Sequence, residues 1–286
     1  MIILRLYGGL GNQLFQLGAA FLLAEKSAIS RIVVDTSQIA SYSTHHKFVL
    51  NELLDFDLVW EKIGVDIEFE SVAITRLRIP KLLNLNSKFN PFLSDNNFRQ
   101  AIVYDSPLKL YVLDGYFQEC LSQDMFNRIS FLLAGLIRTS ALNLGENNAD
   151  YDVVAHVRGT DFLSLNRNPL LNENFYLTAV EALLSSNPFL RILVVTDDIR
   201  YASEILTTKF SAVDFVIKAG DEIDDFMSIY KISNRILAPS TFGLMASTLG
   251  ENSVGAKVFT WPYWYETLER VVLIPNEVPS TSSLNQ

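Results

Sequence analysis

The sequence predicts an α/β protein of two domains, each built on a parallel sheet covered by helices. Three observations carry this. From residue 152 onward, short apolar runs at Asp152–Val157, Arg191–Thr196, Asp214–Ile217, Arg235–Ala238 and Lys257–Thr260 alternate with helical patterns at Phe175–Ser186, Arg200–Thr208, Asp224–Ile232 and Phe242–Leu249. Such a rhythm of apolar strands and helices is that of a sheet buried on both faces. The chain also opens on a strand, tight turn and helix, and its 286 residues, 49% of them hydrophobic, suffice for two ordinary cores.

In order, Ile2–Leu6 reads as a strand, Gly8-Gly9-Leu10-Gly11-Asn12 as a turn and Gln13–Ala24 as an apolar helix, with a second strand at Arg31–Asp35. Ser41 to about Pro107 gives no regular pattern; it holds the basic Arg76, Arg78 and Lys81, broken by Pro80. Leu110–Leu113 is a strand that enters Asp114-Gly115-Tyr116-Phe117-Gln118. The polar stretch Leu144–Asp150 sets the boundary, giving one domain at 1–147 and a second at 148–286. The Ser/Thr-rich tail from Pro279 reads as loose.

Charge excludes one class of partner. With 23 basic against 32 acidic residues, net −9, bulk attraction to nucleic-acid phosphates is disfavoured. A bound anion must instead meet locally placed donors. Cys120 is the only cysteine, so one chain forms neither a disulfide nor a thiolate zinc site, as suits a reducing cytoplasm. The opening Met1–Gly9 is too short an apolar run for a signal peptide, and Gly18–Ala24 and Phe131–Ile137 fall well below the ~18 residues of a membrane span. The expectation is a cytoplasmic protein, at most peripheral at the inner face of the membrane. The basic Arg76–Lys88 stretch is a candidate for that contact, a solvated face being the plainer reading.

Three strand-to-helix turns hold donors. Gly9, Gly11, Asn12 and Gln13 place flexible backbone and N–H groups at a helix start, where phosphate or a sugar hydroxyl binds. The turn is neither a dinucleotide fingerprint, since Leu14 stands where a third Gly belongs, nor a P-loop. His156-Val157-Arg158-Gly159-Thr160-Asp161 ends a strand, the edge at which open α/β sheets bind ligands. Alternation puts His156 and Arg158 on one side, and a guanidinium grips a diphosphate through two parallel bonds. Asp161 either holds Arg158 or caps the turn; the alternative is an ordinary Arg–Asp pair closing a loop. Pro239-Ser240-Thr241-Phe242-Gly243 again precedes a helix, so Ser240 and Thr241 are helix caps or phosphate donors.

Other residues carry less. Asp55-Phe56-Asp57 and Asp150-Tyr151-Asp152 match the Asp-x-Asp pattern of metal-dependent glycosyltransferases, but neither follows a nucleotide-binding βαβ unit, and we read both as accidental. Asp197-Asp198 ends a strand and Asp224-Asp225 starts a helix, acids or caps without assignable chemistry. His45 and His46 sit in the irregular segment, and Tyr116, Phe117, Trp261, Tyr263 and Trp264 are either core or sugar-stacking platforms.

Taken together, Gly8-Gly9-Leu10-Gly11-Asn12-Gln13-Leu14-Phe15-Gln16, Gly115-Tyr116-Phe117-Gln118, His156-Val157-Arg158-Gly159-Thr160-Asp161 and Ser240-Thr241-Phe242 resemble the α-1,2-fucosyltransferase family, glycosyltransferase family 11, in order and approximate spacing. The resemblance implies a GT-B-like α/β fold, two Rossmann-like domains facing a nucleotide-sugar cleft, with GDP-fucose held mainly by the second and no metal or other cofactor. It implies inverting transfer of L-fucose from GDP-β-L-fucose to the 2-hydroxyl of a β-galactoside, in O-antigen or other surface glycan assembly, the acceptor being galactose-terminated and in some members lipid-linked. Catalytic roles fall to Arg158, on the diphosphate, and to Asp161 as its support. Donor binding falls to Gly9, Gly11, Asn12, Gln13, His156, Arg158, Ser240, Thr241 and Phe242.

Two positions depart from the family pattern: Gly159 where many members have a second Arg, and Pro239 where they have Asn. Leu244-Met245 also replace a usual pair of tryptophans. The general base is unassigned among His45, His46, Asp161 and Asp225. Rival readings are a transferase of another GDP-sugar and a noncatalytic glycan- or nucleotide-binding protein.

Overall fold

A computed structural model describes residues 1–39, 47–71, 92–103, 109–147, 149–159, 173–210, 213–261, 263–265, 268–269 and 275–278. The chain divides into two compact units, Met1–Arg138 and Thr139–Gln286.

The first unit is a five-stranded parallel sheet of β1 (Ile2–Arg5), β2 (Arg31–Asp35), β3 (Asp66–Glu70), β4 (Phe92–Leu93) and β5 (Tyr111–Leu113), in the order β3-β2-β1-β5-β4. Its principal helices are α1 (Leu10–Ser27) and, after the short α2 (Leu50–Leu53), α3 (Val59–Ile63) and α4 (Phe98–Val103), α5 (Gln123–Ala134). Helix α1 is apolar nearly all round because it is buried nearly all round. Against α5 it presents Gly18, where a Cβ would stand 2.2 Å from Ile129 Cγ2, and Phe15, whose ring lies 5.7 Å from that of Phe126. The helices can approach so closely only at a residue without a side chain.

The second unit is also a five-stranded parallel sheet: β6 (Val153–Val157), β7 (Arg191–Thr196), β8 (Asp214–Lys218), β9 (Arg235–Leu237) and β10 (Val258–Thr260), in the order β10-β9-β6-β7-β8. Helices α6 (Glu173–Leu184) and α7 (Ile199–Leu206) pack with Val153, Ala155, Val157, Ile192 and Val194 in one core. Helices α8 (Glu222–Lys231) and α9 (Thr241–Leu249) contribute Phe226, Met227 and Met245, all fully buried. A small antiparallel hairpin, β11 (Tyr263–Tyr265) with β12 (Leu268–Glu269), follows.

The division between units falls earlier than the polar stretch near Asn147 suggests, and hydrogen bonds explain the shift. The Arg138 amide donates to Leu53 O at 2.9 Å and its Nε to Leu54 O at 2.9 Å, which keeps it with the first unit. Residues just beyond turn to α8: the Gly145 amide donates to Asp224 Oδ1 at 2.8 Å and the Glu146 amide to Ser228 Oγ at 3.0 Å. No helix among the described residues is long and apolar enough to cross a membrane.

Candidate active site

In the second sheet β6 is central. The chain proceeds outward through β7 and β8 and then returns to β6's other side with β9 and β10. The direction of winding therefore reverses between β6 and β9, and at such a point the loops leaving the two strands part toward opposite faces and open a crevice at their C-terminal ends. His156 lies in register with Leu237, and the Ala238 amide donates to His156 O at 3.0 Å. The two motifs His156-Val157-Arg158-Gly159 and Pro239-Ser240-Thr241-Phe242, 80 residues apart, thus leave the sheet side by side.

Each side chain here has a local cause for its place. Ser240 caps α9, its Oγ accepting the Phe242 N–H at 3.1 Å, and the first-turn amides give this edge the positive end of a helix dipole. His156 is buried, its ring 5.4 Å from that of Phe242. A Cβ on Gly243 would stand 2.8 Å from His156 Nδ1, so the imidazole occupies the space that a side chain there would need. Among the described residues Nδ1 has no hydrogen-bond partner. Burial first, and the Arg158 charge second, push the imidazole pKa down to about 3, which leaves the ring neutral.

Arg158 is half-buried, its Nε 3.5 Å from Asp197 Oδ2. The other oxygen of that carboxylate accepts the Gly159 N–H at 2.7 Å. Asp198 caps α7 by accepting from the Tyr201 amide at 3.0 Å. The acidic pair that the sequence leaves unassigned therefore divides its work, one residue on the Arg158 loop and one on a helix. The Gly159 departure also has a steric setting, for a Cβ there would meet Asp198 Cβ at 2.6 Å. Asp161 and Thr160 lie outside the described residues.

Asp225 belongs to the same edge, at the start of α8. Its Oδ2 accepts the Gly220 N–H at 3.2 Å, while Oδ1 is buried without a partner among the described residues. Burial pushes its carboxyl up to about 6. Neighbouring Asp224 is committed to Lys218 Nζ at 2.7 Å and to the Gly145 amide. Phe226 of α8 packs edge-on against Phe242, 5.5 Å between centroids, which joins the two helix starts.

The first unit is wound differently: the chain enters its far side at edge β4 and moves inward to β5, so Gly8–Asn12 and Asp114–Gln118 leave adjacent β1 and β5 toward helices α1 and α5, which pack on each other. Gln118 Nε2 donates to Asn12 Oδ1 at 3.2 Å, and the Tyr7 and Tyr116 rings meet edge-on at 5.0 Å. Gly8 takes φ +80 and Gly9 caps α1 without a side chain. Gly9 and Asn12 are half-buried and Gly11 is buried. Gln13 is fully buried; its Nε2 braces the turn, donating to Gly8 O at 2.8 Å and Lys47 O at 3.0 Å. Asp95, which sequence reading does not single out, accepts the amides of Tyr116 at 3.2 Å and Phe117 at 2.5 Å, the latter residue at φ +61.

The remaining candidates scatter. Asp55 accepts the Asp57 amide at 3.2 Å, a cap rather than half of a metal pair. Asp152 accepts the Arg191 amide at 2.8 Å at the opposite, N-terminal edge of the sheet. Trp261 is buried against Phe175, 5.6 Å between centroids, and Phe117 is buried against Phe98 at 4.9 Å, so both serve the core. Tyr263 and Trp264 lie in β11. His45, His46 and Arg76–Lys88 fall outside the described residues. Among the described residues no group of three or more His, Cys, Asp or Glu is gathered to hold a metal ion.

No family profile matches the chain. It is 25% identical to the O-antigen biosynthesis glycosyltransferase WbnK of Escherichia coli, over 95% of this chain and 93% of that one. It is 22% identical to an Escherichia coli alpha-1,2-colitosyltransferase, over 94% of each. Among solved structures it superposes on the fucosyltransferase NodZ from Bradyrhizobium with TM-score 0.57 and 15% identity, over 87% of this chain and 92% of that one. POFUT1 in complex with GDP gives TM-score 0.54 and 10% identity, over 91% and 98%. Similarity along nearly the whole chain to these two glycosyltransferases supports glycosyltransferase activity, the fold is the two-unit GT-B fold of the solved fucosyltransferases, and the chain is similar to the family-11-like fucosyltransferases.

Proposed function

We propose that this glycosyltransferase moves L-fucose from GDP-β-L-fucose to the 2-hydroxyl of a β-galactoside, with inversion, during assembly of an O-antigen or related surface glycan. The observation that carries the reading is the meeting of His156–Gly159 and Ser240–Phe242 at one topological switch point, which brings the loop bearing Arg158 and the N-terminus of α9 off adjacent strands at one sheet edge. Anionic diphosphate is the chemistry such a pair accepts.

In the reaction the acceptor oxygen attacks the anomeric carbon as the bond from that carbon to the β-phosphate oxygen breaks. GDP departs with the bonding pair, and the acceptor proton passes to a base or to solvent. Negative charge gathers on the leaving phosphate, where Arg158 and the first amides of α9 stabilise it most at the transition state. Neutral His156 contributes a hydrogen-bonding imidazole without adding charge. Asp225 is the described base candidate, since a carboxyl pushed up to about 6 is ionised near neutrality yet basic enough to receive a proton. No metal enters this scheme.

The likeness to a colitosyltransferase favours a second reading, GDP-colitose as donor in the same site. One experiment separates the two: incubation with GDP-fucose, GDP-colitose, GDP-mannose and UDP-galactose against a panel of galactosides, with mass and linkage analysis of products. The proposal expects an α-1,2-fucosyl galactoside. Transfer from GDP-colitose alone selects the second reading, and absence of transfer from every donor overturns both.

A further inference from the structure

We infer that Asp197 orients Arg158 toward the donor diphosphate, a positioning role that rests on the Arg158 reading above. Its carboxylate touches two consecutive residues at once, Oδ2 at 3.5 Å from Arg158 Nε and Oδ1 on the Gly159 N–H at 2.7 Å. A guanidinium is planar, so a carboxylate at Nε sets the plane, and the plane decides where the two Nη donors reach. The bond to Gly159 fixes the backbone from which Arg158 projects. Asp197 is itself held between pinned neighbours. Thr196 Oγ1 accepts the Asp198 amide at 3.0 Å, and Asp198 caps α7. The contact distance at Gly159, where a Cβ would lie 2.6 Å from Asp198 Cβ, brings the two loops close enough for one short side chain to bridge them. An acid from the neighbouring strand thus performs the task that the sequence resemblance assigns to Asp161.

The test is a double-mutant cycle on the full chain with Asp197→Asn, Arg158→Ala and the pair, reading single-turnover transfer from GDP-fucose, GDP affinity by calorimetry and melting temperature. The amide of Asp197→Asn keeps an acceptor for Gly159 while removing the charge. Misplacement of a transition-state donor lowers turnover about 10²-fold, with a smaller change in GDP affinity and a melting temperature near that of the wild type. In the Arg158→Ala background the same substitution adds no further loss, because the group it positions is gone. Asp197→Ser, whose hydroxyl can also accept from Gly159, repeats the measurement should the amide disturb the fold. Wild-type turnover in Asp197→Asn, losses that multiply with those of Arg158→Ala, or losses that only follow melting temperature in both variants overturn the positioning role alone. Wild-type turnover in Arg158→Ala overturns the parent reading and this inference with it.

Discussion

His156 in β6 and Arg158 just past its end stand two residues apart and face opposite demands. In the proposed role the arginine keeps its charge for the donor diphosphate, while the histidine loses its charge to stay buried. Arg158→Ala should lower kcat by on the order of 10²–10³, the cost of removing one preorganised donor, with a smaller effect on GDP binding. Arg158→Lys should recover only part, since an ammonium lacks the planar fork. His156 should govern acid stability. In the folded chain it takes a proton near pH 3, in the unfolded chain near 6.5. Between these values the unfolded state holds more protons, so stability is intact above about pH 6.5 and falls as pH drops. At pH 5 the loss from this group should be about 2 kcal/mol. Urea unfolding of wild type and His156→Gln at pH 7 and 5 checks it; an equal pH slope in both would falsify the assignment. These residues were legible in the sequence because a strand end followed by His-x-Arg is a local pattern. The role of Asp197, read only as an unassigned acid at a strand end, and Asp95 altogether were not, for their partners lie 38 and 22 residues away and only folding brings them together.

The elements of the second unit follow from sequence because each parallel strand has an apolar run and helices α7, α8 and α9 begin on the caps Asp198, Asp221 and Ser240. In the first unit β3 and β4 escape such reading. Asp66-Ile67-Glu68-Phe69-Glu70 alternates acid with apolar residue at a sheet edge, where charge guards against stray pairing, and β4 has two residues. Neither is a buried apolar run. The turns between elements make a steric prediction. Gly159→Ala must push its Cβ into Asp198 and disturb the α7 cap, so it should destabilise by about 1–3 kcal/mol, the usual cost of overpacking. Gly64→Ala meets nothing within 4 Å, though its φ of +77 brings backbone strain of its own. Thermal melts of both variants separate contact from strain: loss in Gly64→Ala alone would contradict the packing argument at Gly159.

At the scale of the whole molecule, net charge −9 gives no general attraction for a nucleotide diphosphate, so recognition must be local. Affinity should then depend on the base as well as on phosphate. Calorimetry should give markedly tighter binding for GDP than for UDP, and equal affinities would argue against guanine recognition. Transfer should also persist in excess EDTA, because Arg158 and the α9 amides are proposed to carry the leaving charge; activity abolished by EDTA and restored by Mn²⁺ would contradict that. The second unit presents a topological switch point between β6 and β9, where the Arg158 loop and the Ser240-capped start of α9 leave adjacent strands. The central claim is that this second crevice holds the donor diphosphate. A crystal structure with GDP bound tests it most directly. Diphosphate density within hydrogen-bonding distance of the Arg158 guanidinium and of the Phe242 or Gly243 amide is the predicted result. Density for the diphosphate on the Gly8–Asn12 turn of the first unit, with Arg158 out of reach, would contradict it.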